Sequence, residues 1–278
     1  MRQGGSGRCN FPLPQNLTVE QTDYTLGAFE KRTATAAFSA KGDWTLSIVY
    51  DDAEAGDETD ADAAWLTADA AGGAAGEQSL GMSAARNFQA APRTAYVDLV
   101  CGEQTVRLTV TQTGLSDDMD FSALFDETFA QELQERDIVA DAEKITMQEI
   151  QSMAIMTELD ISGTYDNPGS LTSLRGIEYF EALTKLNCNR NSLPTLDISQ
   201  NTELTKLYCD DNQLKELDIS RNTKLTSLNC HDNPGDGNSV FPFTVWGDQA
   251  EKPGSLYVYQ SGWWYNDKYI TIQYQTAE

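Results

Sequence analysis

The sequence predicts two domains: an all-β sandwich, then a short stack of repeats closed by helices before it and by strands after it. Three observations predict this. About seven short β-prone runs, separated by turn signals, occupy residues 16–114. Residues Leu183–Asn233 repeat with a fixed period of 21 residues. A length of 278 residues suits two domains.

Residues 1–15 read as a flexible tether, beginning with a Gly-Gly-Ser-Gly run. The expected strands are Asn16–Gln21, Ala34–Ala40, Trp44–Tyr50, Trp65–Thr67, Gln78–Ala84, Arg93–Val100 and Thr105–Gln112. They are rich in Val, Thr and aromatics, and between them lie Lys41-Gly42-Asp43, Gly72-Gly73, Ala91-Pro92 and Cys101-Gly102-Glu103. The last two strands form a hairpin with alternating faces. Strands of this number and length point to an immunoglobulin-like sandwich. Trp44 and Trp65 are each flanked by apolar strand residues, so they belong to its core rather than to a sugar platform.

Several landmarks in this region recur in one family. They are Trp44 after a Gly-Asp turn, Trp65-Leu66, the run Gly72–Gly76, Asn87, Arg93 before a strand, and the closing Val110-Thr111-Gln112. In this order Phe38–Gln112 resembles the BACON domain, a Bacteroidetes-associated module. The resemblance implies an extracytoplasmic sandwich, usual in surface lipoproteins or glycan-degrading enzymes, that binds carbohydrate or serves as a spacer. The chain departs from the family by an insertion, Asp51–Ala64, with seven carboxylates within Asp51–Asp62. These suit a self-repelling solvated loop or a calcium site. The ordered spacing of a calcium-binding helix–loop–helix is absent, which favours the loop.

Residues 115–119 read as a linker and 120–155 as a helical N-terminal cap. Phe121, Leu124, Phe125, Phe129 and Leu133 make one apolar stripe of a helix over Phe121–Gln134, capped by Asp120. Thr146–Glu149 is a capping box opening a second helix, with Met147, Ile150 and Met153 facing inward. A repeat stack has open apolar ends, and these helices stand where one must be covered.

Residues 156–233 are the repeats. Met156–Ser162 reads as a degenerate first coil, with later strands beginning near Lys185, Lys206 and Ser227. Leu183/204/225, Leu186/207/228, Cys188/209/230 and Asn191/212/233 are equivalent sets. This L-x-x-L-x-C-x-x-N-x-L pattern resembles the leucine-rich repeat, with Cys in an apolar slot. Side chains alternate along each short strand, so Leu186 and Cys188 point in. The Asn residues sit at turns and serve the backbone of adjacent coils. The outward face is the expected ligand-binding surface: Lys185, Asn187, Asn189, Arg190, Lys206, Tyr208, Asp210, Asp211, Asn229 and His231.

Residues 234–278 form a β-rich aromatic C-terminal cap, with strands at Phe241–Trp246, Ser255–Gln260 and Tyr269–Tyr274. Trp263, Trp264 and Tyr265 fall on the turn between the last two. Two adjacent Trp on a turn cannot both face one core, which makes these three a second candidate contact site.

The charge of −24, from 43 acidic and 19 basic residues, argues against nucleic acid or anionic membrane as partner. No apolar run reaches the length of a membrane span, and Met1–Asn10 lacks the apolar core of a leader. Cys9 and Cys101 could pair in an oxidising compartment. His231 is the only histidine, and no nucleophile elbow, phosphate loop or zinc spacing is present. No catalytic residue, metal site or cofactor is therefore expected. The sequence reading is a monomeric, non-catalytic surface protein binding a protein or glycan. The resemblance implies export, outer-membrane-anchored or secreted, with a lipid anchor in the precursor. Protein scaffolding without glycan binding and an unrecognised glycoside hydrolase are the alternatives.

Overall fold

The computed structural model describes residues 16–51, 64–247 and 250–277. The expected tether, Cys9 and the interior of the acidic insertion lie outside them. The chain divides into two compact units, Met1–Leu115 and Ser116–Glu278.

The first unit contains β1 (Leu17–Val19), β2 (Asp23–Leu26), β3 (Thr33–Ala40), β4 (Trp44–Tyr50), β5 (Leu66–Ala68), β6 (Gly72–Gly73), β7 (Gly76–Ala84), β8 (Arg93–Cys101) and β9 (Gln104–Gln112). They make two sheets, ordered β1-β3-β7-β5 and β2-β9-β8-β4-β6. Alternate residues of each sheet enter one shared core. Phe38, Leu80 and Met82 come from the first, and Val97, Leu99, Leu108 and Val110 from the second. Each such side chain contributes about 1.5–3 kcal/mol on burial. Trp44 and Trp65 are both buried there, and Trp44 meets Phe38 edge-on at 4.9 Å. The β8–β9 turn has Gly102 at φ +60°, the left-handed conformation a tight hairpin needs.

Two strands escape the sequence pattern. β2 pairs parallel with β9 through Tyr24 and Leu26, and Gly72-Gly73, read as a turn, pairs with Trp44 and Thr45. Glycine is needed at Gly72 because a Cβ there would lie 2.5 Å from the Trp44 carbonyl oxygen.

The second unit begins with a correction. The first helix does not run from Phe121 under an Asp120 cap. A 3₁₀ turn at Ser122–Leu124 precedes α1 (Glu127–Glu135), whose N-cap is Asp126, accepting from the Thr128 and Phe129 amides. Asp120 instead accepts from the Ser122 amide of the 3₁₀ turn. The capping box at Thr146 and Glu149 opens α2 (Met147–Ala154), where Ile150 and Met153 are buried but Met147 only half so. Phe125, Phe129 and Phe180 stack with centroids 6.1 and 6.3 Å apart, joining the first helix to the repeats.

Next come β10 (Glu158–Asp160), β11 (Lys185–Asn187), β12 (Lys206–Tyr208), β13 (Leu217–Asp218), β14 (Ser227–Asn229), β15 (Val240–Val245), β16 (Tyr257–Val258), β17 (Gly262–Tyr265) and β18 (Lys268–Thr276). A parallel sheet runs β10-β11-β12-β14-β16, pairing Lys185 with Lys206 and Lys206 with Ser227. Successive coils are thus one period apart and in register. A second sheet, β13-β15-β18-β17, is parallel except for its last pair.

The C-terminal strands differ from expectation in two ways. β16 does not join a separate cap sheet; it extends the repeat sheet beside β14. Trp263–Tyr265 are not on a turn. Asn266 and Asp267 take both left-handed positions of a two-residue hairpin loop, φ 48° and 63°, so the three aromatics stay in β17 with alternating faces. Trp263 is 3% exposed and Trp264 69%.

Candidate functional site

The repeat backbone is held from inside by side-chain amides. Asn212 donates from Nδ2 to the carbonyls of Cys188 (3.0 Å), Cys209 and Asp210 (both 3.2 Å), and its Oδ1 accepts from the Leu193 amide at 3.0 Å. Asn191 and Asn233 do the same one coil away. A second ladder escaped the sequence reading. Asn222 donates to the carbonyls of Ile198 and Asn201, and Asn201 to those of Ile177 and Phe180. Its signal was the Asp-Ile-Ser-x-Asn motif, repeated at 21 residues and ending at Asn201 and Asn222.

Cys188, Cys209 and Cys230 are fully enclosed beside these rungs. Burial pushes all three thiols well above their ordinary value, that of Cys230 to about 12. A thiol held neutral and sealed from solvent is neither nucleophile nor metal ligand. Among the described residues no group of three or more His, Cys, Asp or Glu side chains could hold a metal ion.

The outward strand face carries polar side chains in columns. Lys185, Lys206, Ser227 and Tyr257 form one, and Asp160, Asn187, Tyr208 and Asn229 the next. Lys185 pairs with Glu158 at 2.9 Å, and Asn187 donates to Asp160 at 3.2 Å. Beyond the cysteines lie Asn189, Asp210 and His231. Here the expected outward row is corrected: Asp210 is 4% exposed, covered within the row. Its Oδ2 accepts from Asn189 Nδ2 at 3.3 Å, and Oδ1 has no hydrogen-bond partner. Burial raises its pKa, and nearby His231 partly opposes this. His231 itself bonds through Nδ1 to Asp232 at 2.6 Å and packs on Tyr259 at 5.4 Å.

Arg190 and Asp211 leave the strand face altogether. With Asp232 they occupy equivalent turn positions at φ 55°, 54° and 55°. The Arg190 amide donates to the Asp210 carbonyl and the Asp211 amide to that of His231, so each turn is tied to the next coil. This bend swings their side chains to the edge of the stack, where Arg190 Nε lies 3.2 Å from Asp211 Oδ2.

That edge is a groove of about 550 Å³, lined by Arg190, Asp211, Asp232, Gln213, Tyr165 and Tyr265 among others. Two residues from the expected repeat face and one from the expected aromatic cap thus share one depression. Tyr165, 86% exposed, was missed because it sits in an insertion outside the period. Gly163 and Gly169 anchor that insertion: their amides donate to the carbonyls of Asn189 and Arg190 at 3.0 and 2.8 Å. At the other side, Tyr265 Oη donates to Gln213 Oε1 at 3.1 Å. Trp264 does not line the groove; it packs on Tyr269 at 5.5 Å, away from Trp263.

In the first unit, three landmark residues are structural. Arg93 lies over the Trp65 ring at 4.6 Å and donates to Gln112 Oε1 and to the carbonyls of Ala85 and Arg86. Gln112 donates to the carbonyls of Gly27 and Ala85, and Asn87 to those of Ala91 and Thr113. These bonds satisfy carbonyls of loops that the ladders leave unpaired.

No curated protein sequence matches the chain. Solved structures similar to parts of it include the functional domain of InlJ from Listeria monocytogenes, which includes a cysteine ladder, at 38% identity and TM-score 0.35. That likeness covers 43% of this chain and 25% of the other. A Bacteroides ovatus GH5 xyloglucanase, solved with a XXXG heptasaccharide, is 16% identical over 57% of this chain and 30% of its own, with TM-score 0.29. A protein from Bacteroides thetaiotaomicron is 13% identical over 42% of this chain and 98% of its own, with TM-score 0.26. The chain thus spans about a quarter to a third of the first two. No helix among the described residues is long and apolar enough to cross a membrane. Residues 16–115, the first unit, match the family model described as the viral BACON domain.

Proposed function

We propose that this is a non-catalytic recognition protein of the cell exterior. In this reading an immunoglobulin-like BACON sandwich is a spacer or glycan-binding module. It precedes a leucine-rich repeat solenoid that presents its strand face to a protein or glycan. The observation that carries it is the in-register display of Lys185 and Lys206 beside Asn187, Tyr208 and Asn229. A rigid parallel sheet holds these donors and acceptors at fixed spacing, which lowers the entropy cost of ordering them on binding. Placement outside the cytoplasm is supported by the BACON match, a domain typical of extracellular proteins. The sealed thiols and the structural roles of Arg93, Asn87 and Gln112 favour binding over catalysis.

The test is binding of the purified full chain to a glycan microarray and, separately, to extracellular protein fractions. Lys206→Glu and Tyr208→Ala are expected to abolish capture of protein, and of any glycan that the full chain still retains after Tyr165→Ala. A blank array with specific protein capture selects the scaffold reading. Capture unchanged in both variants overturns the strand face as the site. Turnover of any glycan by the full chain overturns the non-catalytic reading.

A further inference from the structure

The groove at the turn edge is chemically unlike the strand face, and its floor is periodic. Arg190, Asp211 and Asp232 stand on successive coils, about 4.8 Å apart per coil. Three such rungs span about 10 Å. Their left-handed turns spend the backbone amides of Arg190 and Asp211 on coil-to-coil bonds. At these two positions an incoming peptide therefore finds no free amide to pair with. What the floor offers is side-chain chemistry: a guanidinium, two carboxylates and the amide of Gln213.

Aromatic rings lie among these polar groups, on anchored elements. Tyr165 rides on the loop tied down at Gly163 and Gly169, where added Cβ atoms would lie 2.2 Å from the Gly169 amide and 2.1 Å from Asn191 Oδ1. Tyr265 is fixed by Gln213 and by its strand, whose neighbouring Trp263 donates Nε1–H to the Asn233 carbonyl at 2.8 Å. A volume near 550 Å³ lies within the range of small-ligand sites. The exposed ring of Tyr165 and the half-buried ring of Tyr265 suit the C–H faces of a pyranose, and planar carboxylate, amide and guanidinium groups suit its hydroxyls. Arg190 and Asp211 neutralise each other, and the chain's charge of −24 disfavours an anionic ligand.

We propose that this groove is a binding site for a short neutral oligosaccharide, with Tyr165 and Tyr265 as stacking platforms and Arg190, Asp211, Asp232 and Gln213 as hydroxyl partners. It is separate from the strand face and stands whether or not that face binds anything.

The test uses the full chain on a microarray of neutral cello-, xylo-, manno- and chito-oligosaccharides beside sialylated and glucuronylated ones, followed by calorimetry with a retained neutral oligomer. Tyr165→Ala, at a position 86% exposed, is expected to weaken binding at least tenfold, and Arg190→Ala likewise. Lys206→Glu is expected to leave it within twofold. Retention of neutral oligomers lost in Tyr165→Ala supports the site. A blank array, retention of acidic glycans only, or affinity unchanged in Tyr165→Ala overturns it. Affinity lost in Lys206→Glu but kept in Tyr165→Ala moves glycan binding to the strand face and also overturns it.

Discussion

The Trp263 indole donates to the Asn233 carbonyl oxygen at 2.8 Å, joining the terminal hairpin to the last rung of the asparagine ladder. The same ring packs edge-on against Phe241 at 5.5 Å. One side chain thus closes the stack by both apolar burial and a hydrogen bond. Trp263→Ala is expected to destabilise the second unit by about 3–5 kcal/mol, the usual cost of removing a buried large aromatic. Trp264→Ala should change stability by under about 0.5 kcal/mol. Denaturant unfolding of both variants checks this, and similar costs for the two would contradict the alternation seen in β17.

Asn212 makes four hydrogen bonds to the backbone of two coils. Replacing it by Ala leaves the Leu193 amide unpaired in a buried turn and takes one of two donors from the carbonyls of Cys188, Cys209 and Asp210, which Asn191, Asn233 and the Arg190 amide still serve. A buried unpaired amide costs about 1–3 kcal/mol. Asn212→Ala should therefore cost about 1–3 kcal/mol, read by urea titration of the full chain. A loss below about 1 kcal/mol would show that water replaces the amide.

The ladder thiols should be silent. In native protein at pH 8, iodoacetamide is expected to leave Cys188, Cys209 and Cys230 unlabelled in a mass map, and to label all three once urea unfolds the chain. Their raised pKa values also set a pH dependence. Above about pH 9 the unfolded chain loses thiol protons that the native state retains, so stability falls with rising pH. For Cys230 the fall extends from 9.0 to about 12, with a slope near 1.4 kcal/mol per pH unit. A stability curve flat above pH 9 would contradict this.

Asp210 titrates in the opposite part of the scale. Burial raises its pKa above 3.8, so the native state holds this proton more tightly than the unfolded chain. The stabilisation that follows is present below pH 3.8 and is lost as pH rises through the folded value. At pH 7 the buried carboxylate opposes folding. Asp210→Asn, which places at this register the residue already found at Asn189, should stabilise the protein at pH 7. The gain should vanish below pH 3.8. A loss of stability at pH 7 would mean that the charge is needed by His231.

Much of the repeat was legible because its period is local and its slots are chemically strict. Leu186, Cys188 and Asn191 recur at fixed spacing, and strands beginning at Lys185, Lys206 and Ser227 follow directly. The sandwich strands were legible through alternation and turn residues. β2 was not, because a four-residue parallel edge strand has too little pattern to stand out. The start of α1 was misread because Asp120 and Asp126 both suit a cap, and only packing of Phe125 against Phe129 and Tyr179 chooses between them.

The candidate site shows the same division. By itself the sequence determined which residues are rungs and which are free to face outward, since apolar spacing dictates burial. It could not say where an outward residue ends up. Asp210 looked exposed by its position beside a cysteine, yet neighbours on three coils bury it. Arg190 and Asp211 looked like strand-face residues until a left-handed turn carried them to the edge. Tyr165 and Tyr265, 100 positions apart in the sequence, meet one groove because an anchored insertion and a terminal hairpin fold back on the same turns. Those juxtapositions depend on backbone bonds between distant segments, and only the tertiary structure decides them.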